Sequence, residues 1–135
     1  MKTMQKFGLI FIILCFLIGL SVVAEETEVG PANGSLVVVG GAMRDPAIVE
    51  RFLGLAGGPD APVVVIPTAG GRDDYDQYWR GLLQFKRAGA TNIILLHTKD
   101  RAVADSEKFV RSIQKAQGVF FTGGRQWHLA DSFLN

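Results

Sequence analysis

Four short apolar runs punctuate the chain, and each is followed by a glycine- or proline-bearing turn or a polar segment and then an amphipathic stretch. They are Leu36–Val39, Val63–Ile66, Ile93–Leu96 and Val119–Phe121. None alternates with polar residues, which predicts strands buried on both faces, as in parallel sheets. Asp45-Pro46 opens the first helix, with Asp as N-cap and Pro at the first helical position. Ile48, Val49, Phe52, Leu53 and Leu55 are expected on its inner face, and Gly57-Gly58-Pro59 ends it. A second helix is predicted from Asp73-Asp74, because Tyr75, Tyr78, Trp79, Leu82 and Leu83 recur at helical spacing. Gly89 is expected just past its C-terminus. Beyond the polar connection Thr98–Ala104, a third helix runs through Phe109, Val110 and Ile113, and a fourth spans Arg125–Leu134.

Strands alternating with helices of this length predict βαβ crossovers. The expected fold is therefore α/β, a three-layer flavodoxin-like parallel sheet. Ligands of such sheets sit outside the C-terminal strand ends. That rule selects four loops: Gly40–Asp45, Pro67–Asp73, His97–Asp100 and Thr122–Gln126.

The first residues change the domain plan. Lys2 and Lys6 precede a nearly continuous apolar stretch, Phe7–Val23, and Val22-Val23-Ala24 supplies small residues before acidic Glu25 and Glu26. This pattern predicts a secretory signal peptide over 1–24, cleaved after Ala24, with export to a periplasm or the outside. Membrane attachment is expected only if the segment stays uncleaved. Residues 25–34 read as a linker and 35–135 as the domain. Cys15, the single cysteine, falls inside the leader, and Leu14 before it is too large for a lipoprotein signal. The mature chain would then hold neither disulfide nor thiol nucleophile.

The 14 basic and 13 acidic residues nearly balance, so no nucleic-acid partner is implied. Gly40-Gly41-Ala42-Met43-Arg44 lacks the dinucleotide spacing and reads as a tight turn with Arg44 near the ligand crevice. Pro67–Arg72 either turns the chain or lines that crevice with Thr68 and Arg72. His97 and His128 have no partner at ligand spacing, so neither a metal nor another cofactor is expected. Ser35, Ser106, Ser112 and Ser132 all lie off a strand-to-helix elbow. The stretch Thr122-Gly123-Gly124-Arg125-Gln126 is the strongest candidate site: a strand, a two-glycine turn and a helix start whose N–H groups suit an anion or a carbonyl oxygen.

From about Gly34 onward the sequence resembles the cyanophycinase branch of the serine peptidase S51 family, which also includes aspartyl dipeptidase. The resemblance rests on the Val-Val-Val-Gly-Gly-Ala opening, Ile66-Pro67-Thr68-Ala69, Gly89-Ala90, and above all Gly118–Gln126. It implies a class I glutamine amidotransferase-like fold and hydrolysis of aspartyl bonds of the β-Asp-Arg type by a Ser–His–acid triad. The substrate would be a peptide or a cyanophycin-like polymer. Gly124 would supply an oxyanion-hole N–H, and Gln126, with Arg125, Gly123 and Thr68, would bind substrate. Arg125 stands where the family often has Asp, which bears on substrate preference. The family's serine and histidine lie on later elements, so the chain is expected to be the N-terminal part, cut after the fourth β-α unit and inactive alone. A homo-oligomer is compatible with the sequence. The contrasting expectations are a non-catalytic exported α/β module that binds a carboxylate or phosphate, and an amidotransferase-like hydrolase with another nucleophile.

Overall fold

The computed structural model describes residues 33–134. The expected leader over 1–24, and the linker up to residue 32, lie outside the described residues. Ser35–Asn135 forms one compact unit. Three parallel strands build its sheet: β1 (Val63–Ile66), β2 (Ile93–Leu95) and β3 (Gly118–Phe121), in the order β2-β1-β3. The central strand has neighbours on both edges, and all four of its residues are buried. Helices flank the sheet: α1 (Pro46–Leu55), α2 (Leu83–Arg87), α3 (Arg101–Ala104), α4 (Glu107–Gln114) and α5 (Gln126–Phe133). The class is α/β, consistent with a truncated flavodoxin-like sheet.

Local chemistry sets the helix ends. The Asp45 carboxylate accepts the Ala47 N–H at 2.9 Å, and Pro46 takes the first helical position of α1. The other end closes as a Schellman turn: Gly58 N–H donates to the Leu53 carbonyl at 2.8 Å, with Gly57 at φ +107°. The same device ends α2, where Ala90 N–H donates to the Phe85 carbonyl and Gly89 takes φ +89°.

Val49 and Leu53 of α1, Leu82 and Phe85 near α2, and Val63 and Val65 of β1 share one buried cluster. Phe52, Phe85 and Phe120 meet edge to face, with centroids 5.0–6.3 Å apart. Each such pair adds about 0.5–1.5 kcal/mol beyond simple burial. Gly118 makes room for this contact, since a Cβ there would lie 2.9 Å from both Phe52 and Ala56. A second group of helices is joined by Phe109 against Phe133 and by Arg101 Nε donating to the Asp131 carbonyl at 2.8 Å.

Three expectations are corrected. Leu36–Val39 is not a strand: it pairs with no neighbour among the described residues, and Leu36 and Val38 are about four-fifths exposed. Apolarity favours burial but supplies no hydrogen-bonding partner, and this segment is paired to neither outer edge of the sheet. The helix expected from Asp73 begins only at Arg80–Leu82, as a 3₁₀ turn leading into α2. Asp76 captures the Tyr78 N–H at 2.9 Å and Asp74 the Tyr75 N–H at 2.8 Å, so these side chains hold the backbone in turns rather than a helix. Leu55, placed on the inner face of α1, is exposed. The connection Thr98–Ala104 also contains the helical turn α3, capped by the Asp100 carboxylate at the Ala102 N–H, 2.8 Å away.

Candidate functional site

The parallel register brings three of the four selected loops together. β1 and β3 run side by side, so their C-terminal ends are neighbours. Past those ends, Thr122 N–H donates to the Ile66 carbonyl at 3.1 Å, and Arg125 N–H to the Ala69 carbonyl at 2.8 Å. Gly124 sits between these two bonds. Its φ is +154°, and a Cβ would collide with the Ala69 carbonyl and the Gly70 nitrogen. Glycine is required here by both conformation and close approach. Among the described residues, the N–H groups of Gly123, Gly124, Gln126 and Trp127 have no hydrogen-bond acceptor. The turn and the first residues of α5 therefore present several unpaired donors at one helix start.

Gly123, Arg125 and Gln126 are exposed at this turn. The Arg125 guanidinium lies over the Trp127 ring, 5.1 Å from its centroid, which turns its charge toward α5. His128 packs over Gly71, where a Cβ would come within 2.7 Å of Nε2.

Behind the turn is a polar anchor. Thr68, expected to offer its hydroxyl to substrate, is fully buried, and its Oγ1 lies 2.8 Å from His97 Nδ1. His97 Nε2 is 3.3 Å from the Asp73 carbonyl. A carbonyl only accepts, so Nε2 carries a proton, and in the neutral ring Nδ1 accepts from the Thr68 hydroxyl. Tyr75 packs edge-on against the imidazole at 4.8 Å. Burial holds His97 below the ordinary histidine value; the bond to Asp73 and the Asp74 charge oppose this, and the Lys99 charge adds to it. Lys99 bonds the Asp73 carboxylate at 2.6 Å and reaches the Gly71 carbonyl at 3.3 Å. That partner keeps the exposed Asp73 carboxyl below its ordinary value. Two side chains thus tie the loop after β1 to the loop after β2.

The first loop stands apart. Arg44, expected near the crevice, instead lines a cavity of about 340 Å³ between the start of α1 and the end of α2, with Asp45, Gln84 and Arg87. Among the described residues no group of three His, Cys, Asp or Glu is placed to hold a metal. No described helix is long and apolar enough to cross a membrane.

The residues missed from sequence are Ala69, whose carbonyl receives the turn, and the Thr68–His97 pair. Both residues stand two places past the ends of neighbouring strands, but only the pairing of β1 with β2 brings them together.

No family model matches the chain. Similarity to curated proteins is clear. A cyanophycinase of Geminocystis herdmanii is 31% identical over 102 residues, covering 72% of this chain and 36% of that protein. A cyanophycinase of Thermosynechococcus vestitus is 31% identical over 102 residues, covering 73% and 31%. One from Nostoc is 31% identical over 98 residues, covering 70% and 33%. The chain thus spans about a third of the length of the curated relatives it matches. Across most of its own length, and over a partial region of theirs, the chain is related to the cyanophycinases.

Proposed function

We propose that this chain carries the oxyanion and substrate-binding side of a cyanophycinase-like serine peptidase acting on aspartyl bonds of the β-Asp-Arg type. The observation that carries the reading is the Gly123–Gln126 turn: unpaired N–H groups at a helix start, held rigidly by Arg125 N–H on the Ala69 carbonyl. Preorganised donors of this kind stabilise the charge that develops on a carbonyl oxygen under attack, and one is worth about 3–4 kcal/mol of barrier. Gly124 N–H serves as a donor to that oxygen. Gln126 and Arg125, both exposed at the turn, contact the substrate. The relatives' names supply the substrate class, a cyanophycin-like polymer.

The nucleophile of this reading is not found among the described residues. No serine of Ser35–Leu134 sits on a turn of the required kind: Ser106 caps α4, Ser112 lies within it, and Ser132 is buried in α5. The test is release of soluble dipeptide from purified cyanophycin. The longest natural reading frame containing these residues is expected to release it, whereas the 135-residue chain alone is not. Turnover by the short chain, or none by the long one, would overturn the assignment. Export belongs to the same proposal. Protein recovered outside the cytoplasm is expected to begin at Glu25, and an intact Met1 there would contradict cleavage.

A further inference from the structure

The loop after β1 is held from two sides, and the two holds meet in adjacent residues. On one side the Ala69 carbonyl accepts the Arg125 N–H at 2.8 Å, and the Ala69 and Gly70 backbone lies where a Cβ on Gly124 would be. On the other side the Thr68 hydroxyl meets His97 Nδ1 at 2.8 Å, 29 residues along the chain. Thr68 is fully buried, and among the described residues its hydroxyl has no other partner. Thr68–Gly70 is a single 3₁₀ turn, closed by Gly71 N–H on the Thr68 carbonyl at 3.0 Å. Thr68 and Ala69 are therefore one short rigid unit, so a displaced Thr68 hydroxyl carries the Ala69 carbonyl with it.

We propose that Thr68 and His97 are positioning residues, which set the N–H donors of the Gly123–Gln126 turn through the Ala69 carbonyl. The relay runs from the imidazole to the Thr68 hydroxyl, the Ala69 carbonyl and the Arg125 N–H, with Gly124 packed beside the last bond. Its state follows the protonation of the ring. Neutral Nδ1 accepts the hydroxyl proton. Once protonated, Nδ1 can only donate, and the buried hydroxyl must turn its own proton to another acceptor. The groups around the imidazole are Lys99 on its own loop, and the Asp73 carbonyl, the Asp74 carboxylate, the Arg72 backbone and the Tyr75 ring on the loop after β1. From α5, His128 packs over Gly71 of that same loop. The value of the relay to catalysis rests on the hydrolase reading, but the coupling itself is testable without turnover.

The chain has two histidines, so His128→Gln leaves His97 as the sole one. In that background, nuclear magnetic resonance is expected to show the Gly124 and Arg125 amides titrating at the midpoint of the His97 ring protons. The Ala90 amide, which bonds the Phe85 carbonyl before β2, should stay unmoved and serves as the control. Thr68→Val removes the hydroxyl at nearly constant shape and is expected to abolish the response of both amides, and Thr68→Ser to restore it. In the longer reading frame Thr68→Val should lower kcat about ten-fold with KM little changed, as misplaced transition-state donors do. Gly124 and Arg125 amides indifferent to His97 protonation would overturn the proposal, and this titration does not depend on the valine variant folding. A raised KM with unchanged kcat would also overturn it, since Thr68 would then act by binding. A coupled titration without turnover in the longer reading frame would support the relay and sink only the hydrolase reading.

Discussion

Gly124 and His97 carry the site at the scale of single residues, and each makes a separable prediction. Gly123 has open space around its Cβ position, whereas Gly124 has positive φ and the Ala69 carbonyl against it. Gly124→Ala is expected to destabilise the fold by about 1–3 kcal/mol, the cost of one forced backbone conformation. Gly123→Ala should change little. Denaturant midpoints of the two variants check this, and equal midpoints would mean the close approach is absent in solution. His97 tests the anchor through pH. Its folded pKa lies below the ordinary value, mainly because the ring is partly buried, with Lys99, Asp73, Asp74 and Arg72 around it. The unfolded chain then binds the proton more readily. The contribution of His97 to stability is therefore complete above about pH 6.5 and is lost as pH falls through the folded value. His97→Gln should flatten that dependence in melts run between acidic and neutral pH.

The aromatic joint at Phe85 governs the elements. Its side chain is fully buried and touches both Phe52 of α1 and Phe120 of β3. Phe85→Ala is expected to cost about 3–5 kcal/mol, read from chemical denaturation. What the sequence disclosed at this scale depended on how local the cause was. Asp45-Pro46 and Gly89 mark helix ends through their own backbone chemistry, and both held. Val63–Ile66 showed itself because a strand with neighbours on both edges and cover on both faces has no polar positions to alternate. The stripe Tyr75–Leu83 misled because its spacing is helical while Asp74 and Asp76 compete for the backbone N–H groups. Leu36–Val39 misled because pairing is a property of two segments, and no composition reveals it. At the site, the two glycines were legible as a turn. The Thr68–His97 bond was not, because it joins residues 29 apart whose meeting needs the strand register.

At the scale of the whole molecule, the sheet order leaves one edge each of β2 and β3 without a strand partner among the described residues. Phe121 is 55% exposed at the end of β3. Open edges beside exposed apolar side chains favour association. The chain is expected to show concentration-dependent self-association in sedimentation velocity, and a monomer at every concentration with a sharp melt would contradict this. The candidate turn follows β3 at the C-terminal end of the sheet and packs against the anchored loop that follows β1. The central claim is that the N–H groups of this turn are free to meet a substrate oxygen. The most direct measurement is an amide nuclear magnetic resonance titration of the chain with an aspartyl-arginine dipeptide. The largest shifts are expected on Gly123, Gly124, Arg125 and Gln126. Saturating peptide that leaves the Gly124 amide unmoved would contradict it.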